Sequence, residues 1–103
     1  MPVKIEYDRD AIIEFCARWK ITEFALFGSA LLEDFTPESD LDVMVSFHPD
    51  AHRSLFDMAR MKEELESLFE RNVDLLTRRG VEMSRNPFRR NAILSSAEII
   101  YAA

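Results

Sequence analysis

Glycine is nearly missing from this chain of 103 residues: only Gly28 and Gly80 occur. A dinucleotide fingerprint and a P-loop both need closely spaced glycines, so that backbone can approach phosphates without side chains in the way. Both are excluded. Cysteine is scarcer still. A lone Cys16 can form neither an internal disulfide nor a thiolate metal cluster, a usage expected of a reducing compartment. No uninterrupted apolar run approaches the roughly 20 residues that span a bilayer. The start, Met1-Pro2-Val3-Lys4-Ile5-Glu6-Tyr7-Asp8, lacks the pattern of a signal peptide. The expectation is a cytoplasmic protein with no membrane segment.

Basic side chains are outnumbered, 13 Lys and Arg against 19 Asp and Glu, for a formal net charge of −6. Phosphate backbones are bound through Lys and Arg, so nucleic acid is disfavoured as the main ligand. The charge is uneven. Residues 1–77 hold 8 basic and 17 acidic side chains, whereas residues 78–103 hold 5 and 2. The five arginines of that tail (Arg78, Arg79, Arg85, Arg89 and Arg90) read either as a solvated helix face or as a surface for an anionic ligand or acidic partner.

What is present describes a globular chain. Apolar residues make up 48% and eight Phe are spread along the sequence, which excludes disorder. A chain of this length buries roughly 60–70% of its unfolded surface, enough for one core and one domain over residues 1–103.

Periodicity places the elements. Asp10 reads as the N-cap of a helix running to about Lys20, with Ile12, Cys16 and Trp19 on one stripe. Glu23 to Phe27 is a short apolar strand stopped by Gly28. In Leu41 to Phe47, Leu41, Val43, Val45 and Phe47 alternate with Asp42, Met44 and Ser46, the pattern of a strand. Ser54 and Asp57 form a capping box ahead of a helix with the stripe Leu55, Met58, Met61, Leu65 and Leu68. Val73 to Thr77 is a third strand, with Gly80 at the turn after it. Asn86-Pro87 opens a last helix expected to bury Ile93, Ala97 and Ile100. The class is therefore α/β or α+β, a small sheet of three or more strands flanked by helices.

Two Asp-x-Asp pairs occur, and their contexts separate them. Asp8 and Asp10 lie at a helix start, where carboxylates cap N–H groups and favour the helix dipole. Asp40 and Asp42 lie at the start of a strand, where residues i and i+2 project from one face about 7 Å apart. Holding both ionised is costly unless a cation lies between them. Carboxylates of this kind suit Mg²⁺, which takes one or two of them together with substrate phosphates. Gly28-Ser29 follows the first strand and offers close backbone approach, a hydroxyl and the N–H groups of an expected short helix to an anion. Asp74, inside an apolar strand, reads either as a strand-edge hydrogen-bonding residue or, alongside the other acids, as part of a shared metal site. Together these residues describe a nucleoside triphosphate pocket.

The stretch Gly28-Ser29, ten intervening residues, then Asp40-Leu41-Asp42 resembles the signature of the DNA polymerase β-like nucleotidyltransferase superfamily. The short length and Asn72-Val73-Asp74-Leu75-Leu76-Thr77 look like its minimal nucleotidyltransferase (MNT) branch. By composition alone the joint pattern arises in roughly one such chain in a thousand. The resemblance implies a small mixed sheet of the polymerase β-like palm type. It assigns Gly28 and Ser29 to the triphosphate and Asp40 and Asp42 to two Mg²⁺ ions. It assigns Asp74 to the metal nearer the attacking hydroxyl. Ala30 stands where members often carry Arg, and Glu33 where they often carry Gly, which bears on one phosphate contact and on the loop turn.

The implied reaction is metal-dependent transfer of AMP from ATP to a hydroxyl. A chain this small is expected to hold no domain that binds the acceptor, so a partner or a second copy is expected to supply it. In the MNT branch that partner is a HEPN-domain RNase toxin, adenylylated on tyrosine, and the MNT chain is its antitoxin. The rival readings are an antitoxin that works by occlusion without chemistry and a small-molecule (antibiotic) nucleotidyltransferase subunit. His48 and His52 flank Pro49-Asp50-Ala51 and read as surface loop histidines rather than metal ligands. Cys16 reads as core rather than nucleophile. Ser29 lacks the G-x-S-x-G surroundings of a hydrolase nucleophile.

Overall fold

The computed structural model describes residues 7–28, 40–51 and 54–103. Ser29, Ala30, Glu33 and His52 lie outside the described residues, as does the helix expected after Gly28. The elements run α1 (Arg9–Trp19), β1 (Ile21–Phe27), β2 (Leu41–Phe47), α2 (Leu55–Phe69), β3 (Val73–Thr77), α3 (Arg78–Glu82), α4 (Pro87–Ser96) and β4 (Glu98–Ala102). The four strands form one mixed sheet in the order β3-β2-β1-β4. The β1 strand is antiparallel to both β2 and β4, while β2 and β3 are parallel. A parallel pair needs a crossover, and α2 supplies it.

Helices cover both faces. On one, Ile12, Phe15 and Cys16 of α1 and Met61, Leu65 and Phe69 of α2 pack on Phe24, Leu26, Leu41, Val43, Val45 and Val73. On the other, Val81 of α3 and Ile93 of α4 pack on Ala25, Phe27 and Met44. This second layer explains why Met44, a polar-face position by alternation, is buried. Glu64 joins α1 to α2, accepting hydrogen bonds from Arg18 and from Trp19 Nε1, the latter at 2.8 Å.

The helix ends depart from the sequence expectations in instructive ways. The N-cap of α1 is Asp8, whose carboxylate accepts from the N–H groups of Asp10 and Ala11; Asp10 sits in the first turn. The capping box of α2 forms as expected between Ser54 and Asp57. Leu55, however, is 89% exposed, so the buried stripe begins one turn later. Gly80 lies inside α3, capped by the Thr77 hydroxyl, rather than in an open turn. Asn86 caps α4 through the N–H groups of Phe88 and Arg89, with Pro87 behind it. That helix stops at Ser96, and Ile100 belongs to the fourth strand.

Cys16 is fully buried, and burial pushes its thiol pKa up to about 12. A thiol reagent such as DTNB is therefore expected to leave the native chain unlabelled at pH 8. It should react with one equivalent only after denaturant unfolds the protein. Rapid labelling of the native chain would contradict the core placement.

Candidate active site

The candidate site grows out of strand register. Asp42 pairs with Asp74 across the parallel β2–β3 ladder, and with Phe27 across the antiparallel β1–β2 ladder. Paired residues share a sheet face, and neighbouring strands lie about 4.8 Å apart. Asp42 and Asp74 are therefore direct neighbours on the face that carries Met44 and Leu76. The α3–α4 layer covers Met44 and Leu76 but leaves the row before them accessible: Asp42 is half-buried and Asp74 exposed. Asp40, immediately ahead of β2, is exposed and shares its parity with Asp42.

Gly28 closes the corner. Its φ is +70°, in the left-handed region that favours glycine. A Cβ at this position would also collide with Asp42 Oδ2, so the backbone at the end of β1 lies directly against that carboxylate. Ser29, the other residue expected at the phosphate, lies outside the described residues.

The donor set fits a hard divalent cation: carboxylate oxygens on adjoining strands, one of them pressed against a glycine backbone. Among the described residues no three acidic, histidine or cysteine side chains already converge tightly enough to hold one. Register brings Asp42 and Asp74 to one face.

Two residues that spacing alone does not single out stand beside this row. Lys62 Nζ donates to Glu66 Oε2 at 2.8 Å, and the same oxygen accepts the Val73 N–H at 3.1 Å. The Lys62 hydrogen bond, then the Val73 N–H, hold the Glu66 carboxyl below its ordinary pKa. The Glu66 hydrogen bond in turn raises the Lys62 ammonium against the opposing effect of desolvation, and the charges of Glu66, Asp74 and Asp40 add to the rise. An (i,i+4) Lys–Glu pair is common on helix surfaces, so the sequence carries no signal that marks it.

The remaining candidates resolve simply. His48 Nδ1 accepts the Asp50 N–H at 3.2 Å and lies 3.6 Å from the Asp50 carboxylate, a local loop contact. In the arginine tail, Arg78 pairs with Glu23 at 3.7 Å and Glu82 at 3.2 Å, and Arg90 donates to the Ser84 carbonyl at 3.1 Å. Those two arginines serve the fold. Among the described residues no helix is long and apolar enough to cross a membrane.

Strands that carry paired carboxylates beside a glycine corner, in a mixed sheet covered by helices, define the class, and comparison with known proteins agrees. The nucleotidyltransferase domain family matches residues 9–100, and the chain belongs to that family. A protein of Methanocaldococcus jannaschii, provisionally named a protein adenylyltransferase, is 32% identical over 84 residues, 82% of this chain and 79% of its own. A second from the same organism, similarly named, is 30% identical over 86 residues, 84% of this chain and 86% of its own. Among solved structures, one described provisionally as a minimal nucleotidyltransferase superposes with a TM-score of 0.66. It is 34% identical, over 87% of this chain and 86% of its own. A toxin–antitoxin structure with AMP-PNP reaches a TM-score of 0.71 at 18% identity, over 93% and 74% of the two chains. A complex of tri-AMPylated Shewanella oneidensis HEPN toxin with MNT antitoxin gives 0.63 at 18% identity, over 92% and 70%. At that identity the last two speak for the fold.

Proposed function

We propose that this chain transfers AMP from ATP to a tyrosine hydroxyl of a HEPN-domain toxin, and thereby acts as its antitoxin. The observation that carries the reading is the registered pair Asp42–Asp74 on an open sheet face, with the Gly28 backbone against Asp42. Support for the nucleotide comes from the structural neighbour described with AMP-PNP, and for the partner from the neighbour described with a tri-AMPylated HEPN toxin.

Asp40, Asp42 and Asp74 would hold Mg²⁺, with the backbone at Gly28 and the Ser29 hydroxyl on the triphosphate. Bound there, the cation supplies positive charge to the α-phosphate and to the departing pyrophosphate. The acceptor oxygen attacks the α-phosphorus, a new P–O bond forms, and the bond to the β-phosphate oxygen breaks. Pyrophosphate leaves, and Asp74 would take the acceptor proton. Positioning and charge stabilisation do most of the work.

The test mixes the purified chain with a candidate HEPN-domain partner, α-labelled ATP and Mg²⁺. Label is expected on a toxin tyrosine, with loss of its RNase activity. Absence of label on a folded, interacting pair, with RNase activity still blocked, would replace transfer by occlusion.

A further inference from the structure

The turn between α2 and β3 decides where Asp74 stands, and one residue satisfies most of it. The Glu66 carbonyl accepts the N–H groups of Glu70 and, at 3.3 Å, Arg71. Its carboxylate reaches past both to the Val73 N–H at 3.1 Å. Three backbone donors of one short connection therefore end on Glu66. On the other side the Asn72 carbonyl accepts the Leu41 N–H at 2.9 Å, which starts the parallel ladder that sets Asp74 beside Asp42. In a parallel ladder successive N–H groups point to opposite edges. That of Val73 faces away from β2, on the side where β3 is the last strand of the sheet. An ordinary edge N–H is left to water; this one is held by a carboxylate that Lys62 clamps at 2.8 Å from the preceding turn of α2.

We propose that Glu66, clamped by Lys62, is a positioning residue for Asp74. It ties the first residue of β3 to α2, so that the neighbouring carboxylate is presented in one orientation towards the acceptor side of the site. Glu66 touches neither nucleotide nor acceptor in this account. The proposal rests on the transferase reading only for what Asp74 then does.

Two measurements on the unliganded, isotopically labelled chain test the geometry. In Glu66→Ala the Val73 amide is expected to exchange at least about tenfold faster than in the wild type. The Asp74 χ1 couplings should move from a single rotamer to an average. Glu66→Gln, which keeps an oxygen for the Val73 N–H, should stay within about twofold of wild type. If Glu66→Ala does not fold, Lys62→Met is read by the same probes, since it removes the clamp and keeps the carboxylate.

Kinetics then separate positioning from stability. Partners of site carboxylates typically cost about 10–100-fold in activity when removed. That loss is expected in kcat, with KM for ATP unchanged and with Glu66→Gln largely restoring it. Ser54→Ala weakens the far end of the same helix and serves as the stability control, with kcat unchanged. Unchanged Val73 exchange and Asp74 couplings in Glu66→Ala, or in Lys62→Met where that replaces it, would overturn the proposal. So would an equal loss of kcat in Ser54→Ala at a matched fall in Tm. A wild-type chain that transfers nothing would sink the transferase reading instead, and the exchange and coupling data would still decide this one.

Discussion

Replacing Asp40 and Asp42 together by Asn is expected to reduce AMP transfer by at least about a thousandfold while the chain stays folded. Losing a single preorganised charge-stabilising group costs about 10²–10³ in rate, and groups acting as one unit do not add simply. Both residues change by one atom, and both lie on the accessible row of the sheet rather than in either core cluster. The loss of like charge beside Asp74 is set against the loss of the attraction between Asp40 and Lys62, so Tm is expected to stay within a few degrees of the wild type. The measurement pairs a transfer assay with far-ultraviolet circular dichroism and thermal melting. Transfer above about a tenth of the wild-type rate would show that these carboxylates do not carry the chemistry. The same variant separates the two antitoxin readings: toxin neutralised in full without any adduct means that binding alone suffices.

The second large effect is expected at Gly28→Ala. Two costs coincide at one atom. The backbone has φ +70°, which an L-residue adopts at a cost of roughly 1–2 kcal/mol. The added methyl would also overlap Asp42 Oδ2. Either the carboxylate rotates away or the end of β1 shifts, and both displace a site residue. A loss of about a hundredfold in transfer follows, of the size expected for misplacement by about an ångström. Stability should fall by only a few kcal/mol. A folded Gly28→Ala chain with wild-type transfer would mean that the corner is not part of the site.

How much of this was legible beforehand depends on the kind of signal. Strict alternation from Leu41 to Phe47 marked β2 to the residue, and an aspartate amid Val73, Leu75 and Leu76 marked β3 as unusual. That Asp74 meets Asp40 and Asp42 was expected from their chemistry and the family resemblance; the parallel register that pairs it with Asp42 was not legible, because it follows from how α2 crosses over the sheet and no local pattern encodes it. The fourth strand was hidden by coincidence: Ile93, Ala97 and Ile100 have helical spacing, yet Ile99, Ile100 and Tyr101 are strand formers, and β4 pairs with β1 through Ile99 and Tyr101 once Ala97 leaves the helix. Asp10 looked as good a cap as Asp8, since composition cannot tell which of two carboxylates meets the free N–H groups. Leu55 fitted the apolar stripe, but nothing packs over the first turn of α2 closely enough to bury it. Glu66 carried no mark at all, because its role depends on a backbone N–H seven residues away.

The acidic residues proposed for the chemistry sit in or directly beside strands, and the second helical layer stops one row short of them. Asp42 and Asp74, mounted on paired ladder positions, keep their spacing for as long as β2 and β3 stay in register. A change to a surface element remote from that row, from Gly28 and from the turn between α2 and β3 leaves that spacing intact. Under the proposed function, such changes could alter which acceptor docks while the carboxylate pair stayed as it is.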